Sequence, residues 1–308
     1  MKRFIPTLML LFCLAMVVPV SGQNKVASET KKDQKKRAKT DPWAEFEEEV
    51  DSIPRWEFGL NFGAYFPNKY SANFYNGDSG NVNNVNYVMA NKYWYQEIKQ
   101  LLRASDTVFV SGYPTNMHYQ VAFTGGLFAR FNFNRKNGIF LEANYTQLKA
   151  TDAITLVVDP PSFPTFRDVR TAPIQGKEAR VLINLAYQRS FPLKSKIYFF
   201  LQGGGMMCYT QVVKSVFIVE EREYNLIDVY GGLGYNGYNS QVFNVHQNAF
   251  GFGLYLGAGA GLPLTEMFGL EPGFTMQYYP ANLKGYPDSK PSFAAYLRIL
   301  LGAGKTSE

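Results

Sequence analysis

Side-chain alternation with a period of two constrains this 308-residue chain more than any other feature. In the run Phe250-Gly-Phe-Gly-Leu-Tyr-Leu-Gly-Ala-Gly-Ala260, Phe250, Phe252, Leu254, Leu256, Ala258 and Ala260 share one parity. Gly251, Gly253, Tyr255, Gly257 and Gly259 share the other. Successive side chains of a strand point to opposite faces, so such a segment has one greasy face and one nearly bare face. A water-soluble sheet turns the greasy face inward, whereas a membrane barrel turns it toward lipid. Composition favours the second case. Charged residues are 18%, low for a chain that must wet its surface, while Phe, Tyr and Gly number 25, 21 and 27.

The N-terminus reads as an export signal over residues 1–23. Lys2 and Arg3 form a positive start, Phe4 to Val20 is apolar except for Pro6, Thr7 and Pro19, and Ser21-Gly-Gln23 supplies small residues for cleavage. Phe12 before Cys13 argues against a lipoprotein, and no later run is long and apolar enough for a transmembrane helix. Formal charge is +6 and falls by two when Lys2 and Arg3 are removed, an excess too mild to suggest nucleic acid. Cys208 is then the one remaining cysteine, which excludes an internal disulfide and a cysteine-based zinc site. Residues 24–53 form a basic, then acidic, periplasmic segment. Lys25 to Lys39 lack apolar content, and Asp41-Pro42 opens a short run in which Trp43, Phe46 and Val50 would share a helical face. That run is either a frayed spacer or a docking helix.

Residues 54–308 carry about eight alternating segments: Trp56–Ala64, Tyr119–Phe133, Ile139–Leu148, Val181–Tyr187, Ile197–Val213, Phe250–Ala260, Phe268–Tyr278 and Phe293–Leu301. Asn134-Arg-Lys-Asn-Gly138, Pro192-Leu-Lys-Ser-Lys196 and Leu262-Pro-Leu-Thr265 are short turns, the first because Asn-Gly tolerates positive φ. Between them lie long excursions, one to about residue 117, one containing Asp159-Pro-Pro-Ser-Phe-Pro164, one containing Gly231 to Tyr238, and a modest one at 280–291. Connections alternating long and short, with an even strand count, are the pattern of outer-membrane barrels. The expected fold is all-β, an antiparallel transmembrane barrel of about eight strands with a short helix in the first outer loop. A lipocalin-like soluble barrel would need a charged outer face, and the second parity here is sparse in charge.

Over residues 54–302 the chain resembles the small outer-membrane β-barrels of Gram-negative bacteria, of the OmpA/OmpX-like or PorT-like type, the latter typical of Bacteroidota, whose signals often end near a Gln such as Gln23. The resemblance is architectural. It implies Sec-type export, a location in the cell outer membrane, the lipid bilayer as surroundings, and a salt-bridged interior.

Parity also sorts the charged strand residues. Glu57, Arg130, Glu142, Arg180, Glu271 and Arg298 all fall on the inward side, with Asn61, Asn144, Asn184, Gln188, Gln202 and Gln277. Three acids and three bases in a narrow lumen should pair, as a structural plug or as a polar gate, and all but Arg180 fall in the periplasmic half. Eight strands leave an interior filled by side chains, which argues against a wide pore. Enzyme chemistry finds little support. His118 and His246 precede strands near the outer rim, without a His-x-Ser arrangement, and no phosphate-cradling loop or metal-ligand spacing is present. No catalytic, cofactor or metal site is expected.

The first outer loop is the most distinctive non-barrel segment. Trp94, Ile98, Leu101 and Leu102 fall at helical spacing behind a candidate cap, Asn91, and Tyr87, Tyr93, Trp94 and Tyr95 cluster there. Long ordered loops tend to carry function, so these four aromatics form the candidate binding surface for a protein partner or glycan; the other reading is a lid packed on the barrel mouth, and the two are compatible. The expected function is a non-enzymatic outer-membrane barrel acting through its outer loops or as an accessory subunit of an outer-membrane assembly. The rivals are a lipid-modifying enzyme using a rim histidine and a narrow channel for a small solute.

Overall fold

The computed structural model describes residues 56–134, 136–163, 166–193, 197–227, 247–265 and 268–302. Ten strands occur there: β1 Trp56–Phe66, β2 Thr107–Gly112, β3 Ala122–Asn134, β4 Asn137–Phe163, β5 Phe166–Pro192, β6 Tyr198–Val219, β7 Arg222–Asn225, β8 Asn248–Pro263, β9 Phe268–Pro280 and β10 Ser289–Gly302. Eight of them close a ring in the order β1-β3-β4-β5-β6-β8-β9-β10, every pair antiparallel, with β1 against β10 as the seam. Glu57 pairs with Gly302 across that seam, so the start of β1 and the end of β10 share one rim. The short turns open on the same rim, as expected from the sequence.

The wall is a transmembrane barrel because of what faces outward. Phe123, Leu185, Leu201, Phe250, Phe252, Leu254, Leu256 and Phe274 are all exposed, while their neighbours Tyr255, Arg130 and Asn184 are buried. An unbroken apolar belt of this extent has no stable place in water and belongs in hydrocarbon. Rings of aromatics edge it. Trp56 and Phe131 pack at 4.9 Å near the short-turn rim, and Tyr209 and Phe250 at 4.8 Å near the other.

Three features differ from the sequence expectation. The excursion after Leu148 is largely strand, since β4 and β5 each run 27 residues and stay paired from Asn137–Arg189 to Val158–Asp168. A membrane strand needs only about 9–11 residues. Two short strands, β2 and β7, extend this outer wall by pairing with β4 and β6. And the first tight turn is centred before the Asn-Gly pair: Asn134 Oδ1 accepts from Lys136 N at 2.9 Å, and Gly138 already lies in β4, paired with Gln188 of β5 and without positive φ.

The long hairpin carries no continuous alternation signal, for a physical reason. Along β4 the even residues face inward throughout. Inside the membrane those are Glu142, Asn144 and Thr146, opposed by outward Ile139, Leu141 and Tyr145. Beyond Tyr145 the chemistry inverts while the geometry continues: Leu148, Ala150, Ile154, Leu156 and Val158 are buried, and Gln147, Lys149 and Thr151 are exposed. The same change occurs on β5, where outward Tyr187, Leu185, Ile183 and Val181 give way to Lys177, Gln175, Pro173 and Thr171. Lipid wants apolar residues outside, and water wants them inside. The inversion therefore marks the membrane surface, and above it the wall carries a soluble-type core.

If the inversion marks the surface, Thr151→Cys in bilayer-reconstituted protein should react with a water-soluble maleimide and Leu185→Cys should not. Equal labelling would remove the boundary.

Candidate functional site

Five charges join into one chain across the lumen. Arg130, on β3, donates from Nε to Glu57 Oε2 at 2.6 Å and from Nη1 to Glu271 Oε1 at 2.7 Å. Arg298, on β10, pairs with Glu142 through Nη2 and approaches Glu271 Oε2 at 3.8 Å through Nη1. Glu271 on β9 thus bridges both guanidiniums. Gln188 accepts a further bond from Arg130 at 3.0 Å, and Tyr198 donates to Glu271 at 2.6 Å. The Arg298 guanidinium also lies over the Tyr296 ring, 4.3 Å from its centroid, and over Phe140 at 5.1 Å. Burial of these groups is near complete except at Glu57, whose side chain keeps 15% exposure at the short-turn mouth.

Arg180 stands apart from that chain. It pairs with Glu178, two residues back on the same face of β5, Nε to Oε1 at 2.6 Å. Around the pair lies a shell of hydroxyls. Tyr75 and Tyr119 donate to Glu178 Oε2 at 2.6 and 3.0 Å, and Arg180 donates to Tyr279 at 2.7 Å and to Ser71 at 3.1 Å. Tyr65 and Tyr279 share a 2.5 Å hydroxyl contact behind them. Ser71 and Tyr75 belong to a 3-10 helix, Tyr70–Tyr75, that enters the outer mouth. Gly176 makes room for it, since a Cβ there would collide with the Tyr75 ring. The grouping of six charges read from parity therefore divides into two clusters. Glu178 is the further member, and the spacing Glu178-x-Arg180 places both side chains on one face.

The first loop also forms two helices ahead of β2, α1 Asn86–Ala90 and α2 Lys92–Leu101. Asn91 caps α2, its side-chain oxygen accepting from the backbone N–H groups of Tyr93 and Trp94. Ile98 and Leu102 are buried, and Trp94 stacks edge-on against Tyr224 of β7 at 6.0 Å. Glu97 binds Arg222 at 3.0 Å and accepts from Tyr224 at 3.1 Å. Burial and the Glu97 carboxylate push the Tyr224 phenol up, so it stays a donor. Together α1, α2, β2, β7 and the outer halves of β4, β5 and β6 bury a common core that includes Val88, Val108, Ile154, Leu156, Phe217 and Val219.

This packing corrects the candidate aromatic surface. Tyr93 is 63% exposed, but Tyr87 is half-buried, Trp94 packs against the core, and Tyr95 accepts the Val108 backbone N–H at 3.0 Å. The four do not form one outward platform. A different apolar surface stands on this head: Phe109 of β2 and Val169 of β5 are about half exposed, and Val157 of β4, which pairs with both, is buried between them. Val157 lies 12 residues beyond Tyr145, which at ~3.3 Å per residue and a tilt of about 40° puts this row roughly 30 Å above the lipid-facing belt.

His118 is exposed, with Nδ1 3.4 Å from the Asn116 carbonyl. Among the described residues no serine or carboxylate hydrogen-bonds to it. His246, Trp43, Phe46, Val50 and the export signal lie outside the described residues. Cys208 is buried in the lumen against Thr210 at 3.5 Å. Among the described residues no cluster of His, Cys, Asp or Glu is arranged to hold a metal.

No protein-family model matches the chain, and no curated protein does. Among solved structures it is similar to Neisserial surface protein A, at 10% identity over 80% of this chain and 96% of that one, with a TM-score of 0.37. It is similar also to the outer membrane protein OprG from Pseudomonas aeruginosa, at 12% identity over 82% and 98%, TM-score 0.34. A third is Ail, the attachment invasion locus protein of Yersinia pestis, at 11% identity over 80% and 99%, TM-score 0.32.

Arg130→Leu should destabilise the barrel by about 3–5 kcal/mol, because it strands Glu57 and Glu271 without their shared cation. Urea unfolding in lipid vesicles measures this; an unchanged midpoint would show that the lumen tolerates unpaired carboxylates.

Proposed function

We propose that the protein is a non-enzymatic outer-membrane barrel, exported through an N-terminal signal, whose outer head is a docking surface for a protein or glycan. The observation that carries the reading is the pair of exposed apolar side chains Phe109 and Val169, flanking the buried Val157 on a packed sheet far above the lipid belt. Exposed aromatic and aliphatic side chains on a rigid support lose little entropy on binding and make effective contact centres. Tyr93 on α2 supplies a second exposed aromatic on the same head. Membrane placement is supported by the outward belt. Action as an accessory subunit of a larger assembly is compatible with the same surface.

The lumen supports this reading over a channel. The Glu57–Arg130–Glu271–Arg298–Glu142 chain occupies one half, and the Glu178–Arg180 cluster with its tyrosines occupies the mouth. Purified protein in planar bilayers should give no steady conductance steps. Regular single-channel steps would favour the solute-channel alternative.

The docking reading is tested by recovering companions from mild-detergent membranes with the intact chain and with Phe109→Ser/Val169→Thr. Heat-modifiable gel migration confirms that both are folded. The companions of the intact chain should be lost or reduced at least about tenfold in the variant, as for removal of a central contact worth ~1.4 kcal/mol or more. Full retention would refute the head as the docking surface and turn attention to the periplasmic segment around Trp43, Phe46 and Val50.

A further inference from the structure

Three lysines stand in one row across the outer wall. Lys149 of β4 pairs with Lys177 of β5, and Lys177 pairs with Lys214 of β6. All three side chains point away from the barrel axis: Lys149 and Lys177 are exposed, and Lys214 keeps 30% side-chain exposure. Neighbouring strands lie about 4.8 Å apart, and like charges directly opposite one another destabilise a sheet. Lys214 is relieved by Glu223 at 2.6 Å. Among the described residues, Lys149 and Lys177 have no acidic partner. The outward positions flanking them along their strands are Gln147, Thr151, Gln175 and Ala179, all uncharged. A row that repels itself and lacks internal compensation is arranged for an external anion.

The height of the row identifies the anion. Lys149 and Lys177 each sit two outward positions beyond the last lipid-facing side chain of their strands, and Lys214 continues the same paired row on β6. The orders are Tyr145, Gln147, Lys149 on β4; Val181, Ala179, Lys177 on β5; and Tyr209, Gln211, Lys214 on β6, where a register shift inserts Val213, itself exposed, beside Lys214. Lysine stems are long enough to lie along the wall while their ammonium groups reach the charged layer of the membrane surface. That layer holds lipid phosphates, and each lysine near such a surface strengthens attachment by about fivefold. Gln211, and Gln147 with the one amide hydrogen not given to Tyr145 Oη, lie between the apolar belt and the ammonium groups, where a headgroup would present its carbonyl and hydroxyl oxygens.

We propose that Lys149, Lys177 and Lys214 form a docking row for the phosphate groups of an anionic lipid in the leaflet around the head. The row is distinct from the Phe109–Val157–Val169 surface and does not depend on that surface binding anything. It predicts preferential retention of a lipid carrying two phosphates over the same lipid carrying one.

The test uses the full chain in neutral detergent, with diphosphoryl lipid A, monophosphoryl lipid A and inorganic phosphate as probes and native mass spectrometry as the readout. Lys149→Gln/Lys177→Gln should retain about 25-fold less diphosphoryl lipid A than the unaltered chain, from two lysines at about fivefold each. Lys136→Gln/Lys284→Gln, which removes the same charge elsewhere, should retain it fully. Lys149→Arg/Lys177→Arg keeps the charge, should restore retention, and serves if the glutamine variant fails to fold. Equal retention by the glutamine and unaltered chains would overturn the proposal. So would displacement of the lipid by an equal concentration of inorganic phosphate, which would make the row a site for free anions.

Discussion

Within hydrocarbon no water is available to a strand's amide and carbonyl groups, and each one left unpaired costs several kcal/mol. The pairing of β1 with β10 is therefore the contact on which the remainder depends, because it removes the last two edges. Once the ring is closed, the parity of every strand is determined: one set of side chains meets lipid and the other must fill a narrow interior. Above the membrane the demand lapses. There β2 and β7 are free to be edge strands, and local devices suffice, such as the Tyr95 hydroxyl that takes up the outward N–H of Val108. The change from a closed ring to an open-edged wall coincides with the change in outward chemistry beyond Tyr145 and Val181, as expected if both answer to one solvent boundary.

Closure at eight strands creates the second problem, a lumen too narrow for bulk water. The chain fills it with arginines, whose planar five-donor forks reach several strands at once. Arg130 ties β1, β5 and β9 to β3, and Arg298 ties β4 to β10. Three carboxylates meet two guanidiniums in this cluster, and the surplus negative charge is met by neutral donors, Tyr198 on Glu271 and Asn144 and Asn184 on Glu142. The outer cluster is balanced differently. One acid and one base cancel, and tyrosine hydroxyls from β1, β9, the 3-10 helix and the segment before β3 take the remaining lone pairs and protons. A loop segment has become part of the wall's own hydrogen bonding.

How much of this was legible follows from the physics of each part. Strands such as β8, which keep one solvent environment along their length, announce themselves by strict alternation. The outer halves of β4 and β5 do not, because a window across residues 141–150 sees apolar residues on the odd parity first and on the even parity afterwards. The average is no pattern, and Pro160, Pro161, Pro173 and Gly176 reinforce the impression of a loop. The inward set of charges was readable because parity alone decides it. Their partners were not, because pairing depends on which strands lie across the lumen. Asn91 as the α2 cap was readable from local spacing. The inward turn of Trp94 and Tyr95 was not, since it depends on β7 and β2, neither of which the sequence announces.

The continuity of β4, β5 and β6 through the boundary bears on what the head can do. A flexible loop that binds must surrender its conformational freedom, at a cost that subtracts from affinity. Here that cost is met during folding. The 3-10 helix is fastened to Glu178 and Arg180, α2 is clamped to β7 through Glu97, and the sheet that displays Phe109 and Val169 is the same sheet that crosses the membrane. The head is thus held in a fixed orientation to the bilayer by the strands themselves. Two surfaces on one wall, an apolar row high above the membrane and a cationic row at its surface, are then presented at a set separation of eight residues along β4, from Lys149 to Val157. That is about 26 Å of strand. A partner seated on the upper row would meet a barrel already oriented, and an anionic lipid on the lower row would resist tilting of that wall. The same backbone hydrogen bonds that close the barrel transmit both constraints.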